Sequence, residues 1–288
     1  MNPASSSIAG TRIAVRVDRA LTLPGRVWAA ESPRALVAIC HGLGEHSGRY
    51  AALAEDLARA HLSVVVLDLP GHGEGPGPRG DVRSWTKLRD AGVPAMFTGA
   101  CGVPGHPGSL PRVLFGHSMG GVLALDFALQ HPRELLAVVS SSAGLRSTTA
   151  PWWKLTLANM ARAISPSTGF PHGLDENSMS RDPEVLSARA KDPLVHDRIS
   201  PRLYFEFNEA RQRVLNRAHR LAVPALLLHG EADRVTDPRG SLQFSDAAPH
   251  GMVRLITYQD AFHELFNDTC RAAAVTDLIG WLDALLVV

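Results

Sequence analysis

Gly116-His-Ser118-Met-Gly120 constrains this chain more than any other feature, because of what stands on either side of it. Arg112-Val-Leu-Phe115 before it reads as a short strand. Met119 to Gln130 after it is apolar at helical spacing until His131-Pro132 stops it. A serine held between a strand and a helix, with glycine two places away on both sides, fits a turn too tight for larger side chains. Such a turn presents the hydroxyl above the sheet edge. The helix starts at the serine, so its dipole and free N–H groups face any oxyanion formed there.

The rest of the chain supplies a sheet for that turn. Short β-rich pieces between Thr11 and Ala30, such as Ile13 to Val17, suit an antiparallel edge. Ala35 to Cys40 and Leu62 to Leu67 read as buried strands joined by a helix over Tyr50 to Ala60, a crossover that makes them parallel. A Gly- and Pro-crowded loop from Pro70 to Asp81 precedes a weakly patterned helix between Ser84 and Ala100. Leu135 to Val139, Pro224 to Leu228 and Val253 to Thr257 are the remaining strands, and a terminal helix is expected over Glu264 to Leu286. Between Ser142 and Ala222 only helix-compatible segments occur, broken by six prolines. The expectation is an α/β fold: a mostly parallel eight-stranded sheet with helices on both faces, made of core segments 1–144 and 221–288 with a helical cap insertion at 145–220.

A nucleophilic serine needs a base on the loop after the last strand and an acid after the strand before it, in the order Ser, Asp or Glu, His. His263 stands in the first place, just before the terminal helix. The second place offers Glu231, Asp233 and Asp237. Asp237 precedes Pro238 and reads as the cap of the next helix, and Glu231 lies too close to the strand end, which favours Asp233. Catalysis of acyl transfer also needs two N–H donors on the oxyanion. Met119, directly after the serine, supplies one, and Leu43 in His41-Gly-Leu-Gly44 after the strand Ala35 to Cys40 is the candidate for the other.

Bulk composition removes other classes of function. The formal charge is +1 from 29 basic and 28 acidic side chains, with no dense Lys/Arg run, so a nucleic-acid partner has no support. The first ten residues lack the pattern of a secretory signal, and no window reaches the roughly 20 apolar residues of a membrane span. Cys40, Cys101 and Cys270 are odd in number and form no metal-ligand motif. The expectations are a cytoplasmic enzyme with no metal and no organic cofactor, acting on a small acyl ester.

His41-Gly-Leu-Gly-Glu-His-Ser-Gly-Arg-Tyr50 resembles the oxyanion segment of the monoacylglycerol lipase and lysophospholipase group of α/β-hydrolases. Asp68-Leu-Pro-Gly-His-Gly73, Gly116 to Gly121, His229-Gly-Glu-Ala-Asp233 and Phe262-His-Glu264 are similar to other motifs of that group. Asp182-Pro-Glu-Val and Lys191 to His196 resemble its cap. The resemblance implies the α/β-hydrolase fold and hydrolysis of one acyl chain from glycerol or a lysolipid. Ser118, Asp233 and His263 would form the triad and Leu43 and Met119 the oxyanion hole, with Glu45 and Arg49 in a polar pocket at the alcohol end. Phe266 stands where the group tends to carry a polar residue, which makes that pocket less hydrophilic. Trp152, Trp153, Leu155, Leu157, Met160 and Ile164 could form an apolar lid helix in transient contact with lipid surfaces. The same triad would also serve a short-chain carboxylesterase, a thioesterase or a serine aminopeptidase. A non-catalytic ligand-binding relative would be expected to lack a triad member.

Overall fold

The computed structural model describes residues 10–100, 110–146 and 162–286. In chain order the strands are β1 (Thr11–Arg16), β2 (Thr22–Trp28), β3 (Ala35–Cys40), β4 (Leu62–Leu67), β5 (Arg112–His117), β6 (Ala137–Ser141), β7 (Phe170–Pro171), β8 (Arg198–Ile199), β9 (Ala225–Gly230) and β10 (Val253–Tyr258). Eight of them form one sheet in the order β1-β2-β4-β3-β5-β6-β9-β10. β1 and β2 pair antiparallel with each other, and β2 pairs antiparallel with β4; every other pairing is parallel. The most apolar strands occupy the centre: β3, β4, β6 and β9 are buried along their whole length. The edge strands β1 and β10 keep polar residues facing water, as strands covered on one side do.

Alternate residues of the central strands feed two apolar layers. Leu36, Ala38, Leu114 and Leu227 pack on one face with Met96, Phe97, Leu123, Phe127, Leu203 and Phe244. Val37, Ile39, Phe115, Leu226 and Leu228 pack on the other with Leu53, Leu57, Leu278 and Leu282. The helix Met119–Gln130 lies within the first layer, and all but its last two residues are buried, which its nearly unbroken apolar sequence permits. The long helix Pro201–Arg217 packs on it, so this last part of the inserted segment covers the sheet. Asp126 on the buried helix is fully enclosed. It accepts from Trp85 Nε1 at 2.9 Å, from Arg213 at 2.9 and 2.7 Å, and from Arg89 at 3.2 Å, which satisfies its charge.

Three elements differ from expectation for local reasons. The stretch from Ser84 to Ala100 is helical but widens to a π turn over Leu88–Gly92, where Pro94 lacks the N–H that an α-helix would donate to Asp90. A 3₁₀ turn at Pro132–Glu134 delays the following strand, so β6 starts at Ala137. The terminal helix runs over Arg271–Leu286. Before it come a 3₁₀ turn, Leu265–Asn267, and Asp268, whose carboxylate is held by Arg181 at 2.8 and 2.6 Å. Of the inserted segment, residues 145–146 and 162–220 are described and add no strand to the main sheet; β7 and β8 form a separate antiparallel pair. Trp152, Trp153, Leu155, Leu157 and Met160, and with them the expected lid helix, lie outside the described residues. Cys101 does too.

Candidate active site

Ser118 sits between β5 and the helix Met119–Gln130 with φ 55° and ψ −114°, a backbone conformation that costs energy for any residue with a side chain. Its N–H donates to Ser141 O on β6 at 2.9 Å, and its carbonyl accepts from Gly144 N at 3.2 Å, so the neighbouring strand and the loop after it hold the turn. The flanking glycines are required by space. A Cβ on Gly116 would lie 2.0 Å from Gly120 O, and one on Gly120 would lie 2.0 Å from Cys40 O. Met119 opens the helix, so its N–H belongs to the first turn, which has no intrahelical acceptor.

The loop after β3 comes against this turn. A Cβ on Gly42 would fall 3.3 Å from Ser118 Cβ and 2.8 Å from Glu45 Oε1, so the glycine lets the loop approach the serine closely. Gly42 N–H donates to Glu45 Oε1 at 2.5 Å, and Tyr50 OH donates to the same oxygen at 2.7 Å. His41 is fully buried: Leu69 N–H donates to its Nε2 at 3.0 Å, which leaves the proton on Nδ1 to reach Gly42 O at 2.8 Å. Burial pushes its imidazole down, so it stays neutral and ties the loop to β4. These bonds fix Gly42, the residue before Leu43, against the serine turn.

His263, on the loop after β10, meets Asp233, on the loop after β9, with Nδ1 2.8 Å from Oδ2. Both side chains are buried. Asp233 Oδ1 accepts from the N–H groups of Val235 and Thr236 at 2.8 and 2.9 Å, and Oδ2 accepts from Thr236 Oγ1 at 2.8 Å. Burial alone would raise this carboxyl, but the charge of His263 and hydrogen bonds from His229 and His263 outweigh it and hold the group well below the usual carboxylate range. Burial likewise opposes the charge on His263, and Asp233 reverses the balance, leaving that imidazole above its ordinary value. The other two carboxylates turn elsewhere. Glu231 accepts from Thr257 Oγ1 at 2.7 Å, and Asp237 pairs with Arg239 at 2.7 Å.

The ring of His117 lies against that of His263, 4.7 Å between centroids, which brings the loop after β10 to the serine turn. Burial and the charge of His263 push His117 down to about 3, so it is a neutral neighbour. Glu45 and Arg49 are turned inward: Arg49 Nε lies 3.3 Å from Glu45 Oε2, and its guanidinium also contacts Glu264. Glu45, Tyr50, His117, Glu264, Phe266 and Asn267 line a small cleft, with the Phe266 ring edge-on to Phe115 at 5.4 Å.

Sequence reasoning overlooked two groups. His229 places Nε2 3.2 Å from Asp233 Oδ2, and its spacing four residues before the acid was the available signal. Arg189, buried in the inserted segment, reaches Glu264 at 3.3 Å, and no sequence pattern ties residues 75 positions apart.

An eight-stranded, mostly parallel sheet with helices on both faces and a G-x-S-x-G turn after its fifth strand defines an α/β-hydrolase. Within that class the chain belongs to the family described as "Serine aminopeptidase, S33", which matches residues 31–270. It is 31% identical to a monoacylglycerol lipase of Mycolicibacterium smegmatis over 89% of this chain and 91% of the relative. It is 30% identical to the phospholipase YtpA of Bacillus subtilis over 85% and 93%. The crystal structure of Paleococcus ferrophilus monoacylglycerol lipase superposes with a TM-score of 0.82 at 32% identity, covering 91% of this chain and 99% of that one.

Proposed function

We propose that this chain hydrolyses the carboxylic ester of a monoacylglycerol or lysophospholipid through an acyl-enzyme on Ser118. The observation that carries the reading is the buried His263–Asp233 pair, 2.8 Å apart, with the His263 ring against His117, the residue before Ser118 in its strained turn at the mouth of a helix. Relatives called monoacylglycerol lipase and phospholipase support the lipid ester.

In this reading His263 Nδ1–H donates to Asp233, which leaves Nε2 free to take the Ser118 proton as Oγ attacks the ester carbonyl. The oxyanion is held by the N–H groups of Leu43 and Met119. The imidazolium, stabilised by Asp233, returns its proton to the departing alcohol. Water then attacks the acyl-serine with His263 again as base, and the acid and free enzyme are released. Glu45 lines the cleft next to His117, which supports a place near the alcohol end, whereas Arg49 is engaged by two carboxylates.

Residues 145–220 act as the cap in this proposal. Their described part docks on the loop that bears His263: Glu264 N–H donates to Met179 O at 2.8 Å and Ser180 Oγ donates to Asn267 O at 2.7 Å. Ile164 is 82% exposed and supports transient contact of the cap with a lipid surface. Among the described residues no helix is long and apolar enough to cross a membrane. A cytoplasmic location remains part of the proposal.

The test is hydrolysis of p-nitrophenyl esters from short to long chain, of 1-monoacylglycerol, of a lysophospholipid and of an aminoacyl p-nitroanilide, with Ser118→Ala alongside. Activity strongest on medium or long monoacyl esters and lost in the variant is expected. Cleavage of short esters alone, or of the anilide in preference, would overturn the lipid assignment. Equal rates in the variant would remove Ser118 as nucleophile.

A further inference from the structure

Behind the candidate site runs a line of alternating charges that crosses from the core into the inserted segment. Glu45 Oε2 faces Arg49 Nε at 3.3 Å, the Arg49 guanidinium contacts Glu264 Oε2, and Glu264 Oε1 faces Arg189 Nη1 at 3.3 Å. Arg189 Nε in turn contacts Glu176. The first four side chains are 9% exposed or less, and only Glu176 reaches solvent. Two carboxylates and two guanidinium groups therefore balance one another away from water, where an unmatched charge is costly. One end of the line holds the backbone of the oxyanion loop through Glu45 Oε1 and Gly42 N–H. Its middle member, Glu264, directly follows His263. Arg189, the next member after Glu264, belongs to the helix Pro183–Lys191 of the inserted segment.

We propose that Arg189 is a positioning residue through which the seated cap sets the oxyanion loop. The inference rests on the reading of Leu43 as an oxyanion donor. Without Arg189 two buried carboxylates share a single cation, Arg49. That guanidinium already contacts Glu264 more closely than it approaches Glu45. It would turn a second N–H from Glu45 to Glu264, release Glu45, and loosen the grip of Glu45 on Gly42 N–H. The amide of Leu43, one residue on, then loses its fixed position. Arg189 touches no reacting atom; it acts through Glu264, Arg49 and Glu45 in turn.

The experiment uses the full chain and a soluble short ester, p-nitrophenyl butyrate, so that acyl-chain binding under the cap does not dominate the result. Arg189→Met is expected to lower kcat by about 10- to 100-fold, on the scale of a misplaced oxyanion donor, with KM within about twofold and Arg189→Lys recovering most of the loss. Affinity for a trifluoromethyl ketone, whose hemiketal places an oxyanion in the hole, should fall by the same factor as kcat/KM. Glu45→Gln should produce a similar loss, and the double variant should be no worse than the poorer single one. Should Arg189→Met fail to fold, Arg189→Gln, which keeps a hydrogen bond to Glu264, is read in the same way. Unchanged kcat and ketone affinity, or losses that multiply in the double variant, overturn the proposal. Leu43→Pro, which deletes the amide proton, checks the reading beneath it: if that variant binds the ketone normally, the assignment of Leu43 is what has failed.

Discussion

His229 Nε2 lies 3.2 Å from Asp233 Oδ2, the same oxygen that meets His263 Nδ1 at 2.8 Å, so two imidazoles converge on one carboxylate oxygen. A carboxylate only accepts, which puts the His229 proton on Nε2 and leaves Nδ1 to accept from the Ser241 hydroxyl 2.7 Å away. This second donor draws charge out of Oδ2. His229→Leu should therefore leave Asp233 a stronger partner for the imidazolium and move the acidic limb of kcat/KM to higher pH, with kcat reduced about tenfold as the acid loses a fixed position. His229→Gln, which keeps an N–H donor, should restore both. A pH profile of the three proteins decides the matter; an unmoved limb in His229→Leu would show His229 to be packing only.

The pH dependence of the unaltered protein has a definite sign. Asp233 raises the His263 imidazole above its ordinary value, and in the proposed mechanism His263 acts as base only when neutral, so kcat/KM should fall on the acid side with a midpoint above about 6.5. Asp233→Asn should lower that midpoint and cut kcat by about 10⁴. Initial rates at saturating and limiting ester between pH 5 and about 9 measure both.

Gly42→Ala tests the closeness of the proposed oxyanion loop to the serine. The new methyl would stand 2.8 Å from Glu45 Oε1 and 3.3 Å from Ser118 Cβ, so the loop must shift by a few tenths of an ångström. Turnover should drop by about 10- to 100-fold, while the rate of thermal unfolding stays close to that of the parent. Active-site titration with a fluorophosphonate beside steady-state kinetics separates lost sites from slowed ones.

Asp126 offers the opposite kind of variant, one that touches stability and spares chemistry. Asp126→Ala strands Arg213, Arg89 and Trp85 Nε1 around an emptied buried site. The loss should be about 3–5 kcal/mol, read by urea unfolding, with kcat per titrated site unchanged at low temperature.

Much of the scaffold can be read from the chain because its determinants are local. The compact apolar runs within β3, β4 and β9 mark strands covered on both faces, and the antiparallel edge shows in the β-rich pieces before Ala30. Ser118, His263 and Asp233 could be nominated because strand order fixes which loops converge. What was illegible depends on partners distant in sequence. The break before the terminal helix follows from Arg181 drawing in Asp268, 87 positions away, and a helical pattern across Glu264 to Leu286 contains no sign of it. The inward turn of Glu45 and Arg49 likewise depends on Glu264, whose contact with Arg49 spans 215 positions. His229 stands in the motif His229-Gly-Glu-Ala-Asp233, but its contact with the acid shows only where the loop after β9 folds Asp233 back onto it.

The shared burial of Glu264 between Arg49 and Arg189 bears on how such a chain can be remodelled. A cap exchanged for that of a distant relative, or shortened to widen substrate range, takes with it a positive charge that the core requires. The recipient would keep Glu45 and Glu264 against a lone arginine. Chimeras of this protein should therefore be designed with Glu264 and the residue at position 189 inherited together, as a single unit of recombination that straddles the boundary between core and insertion.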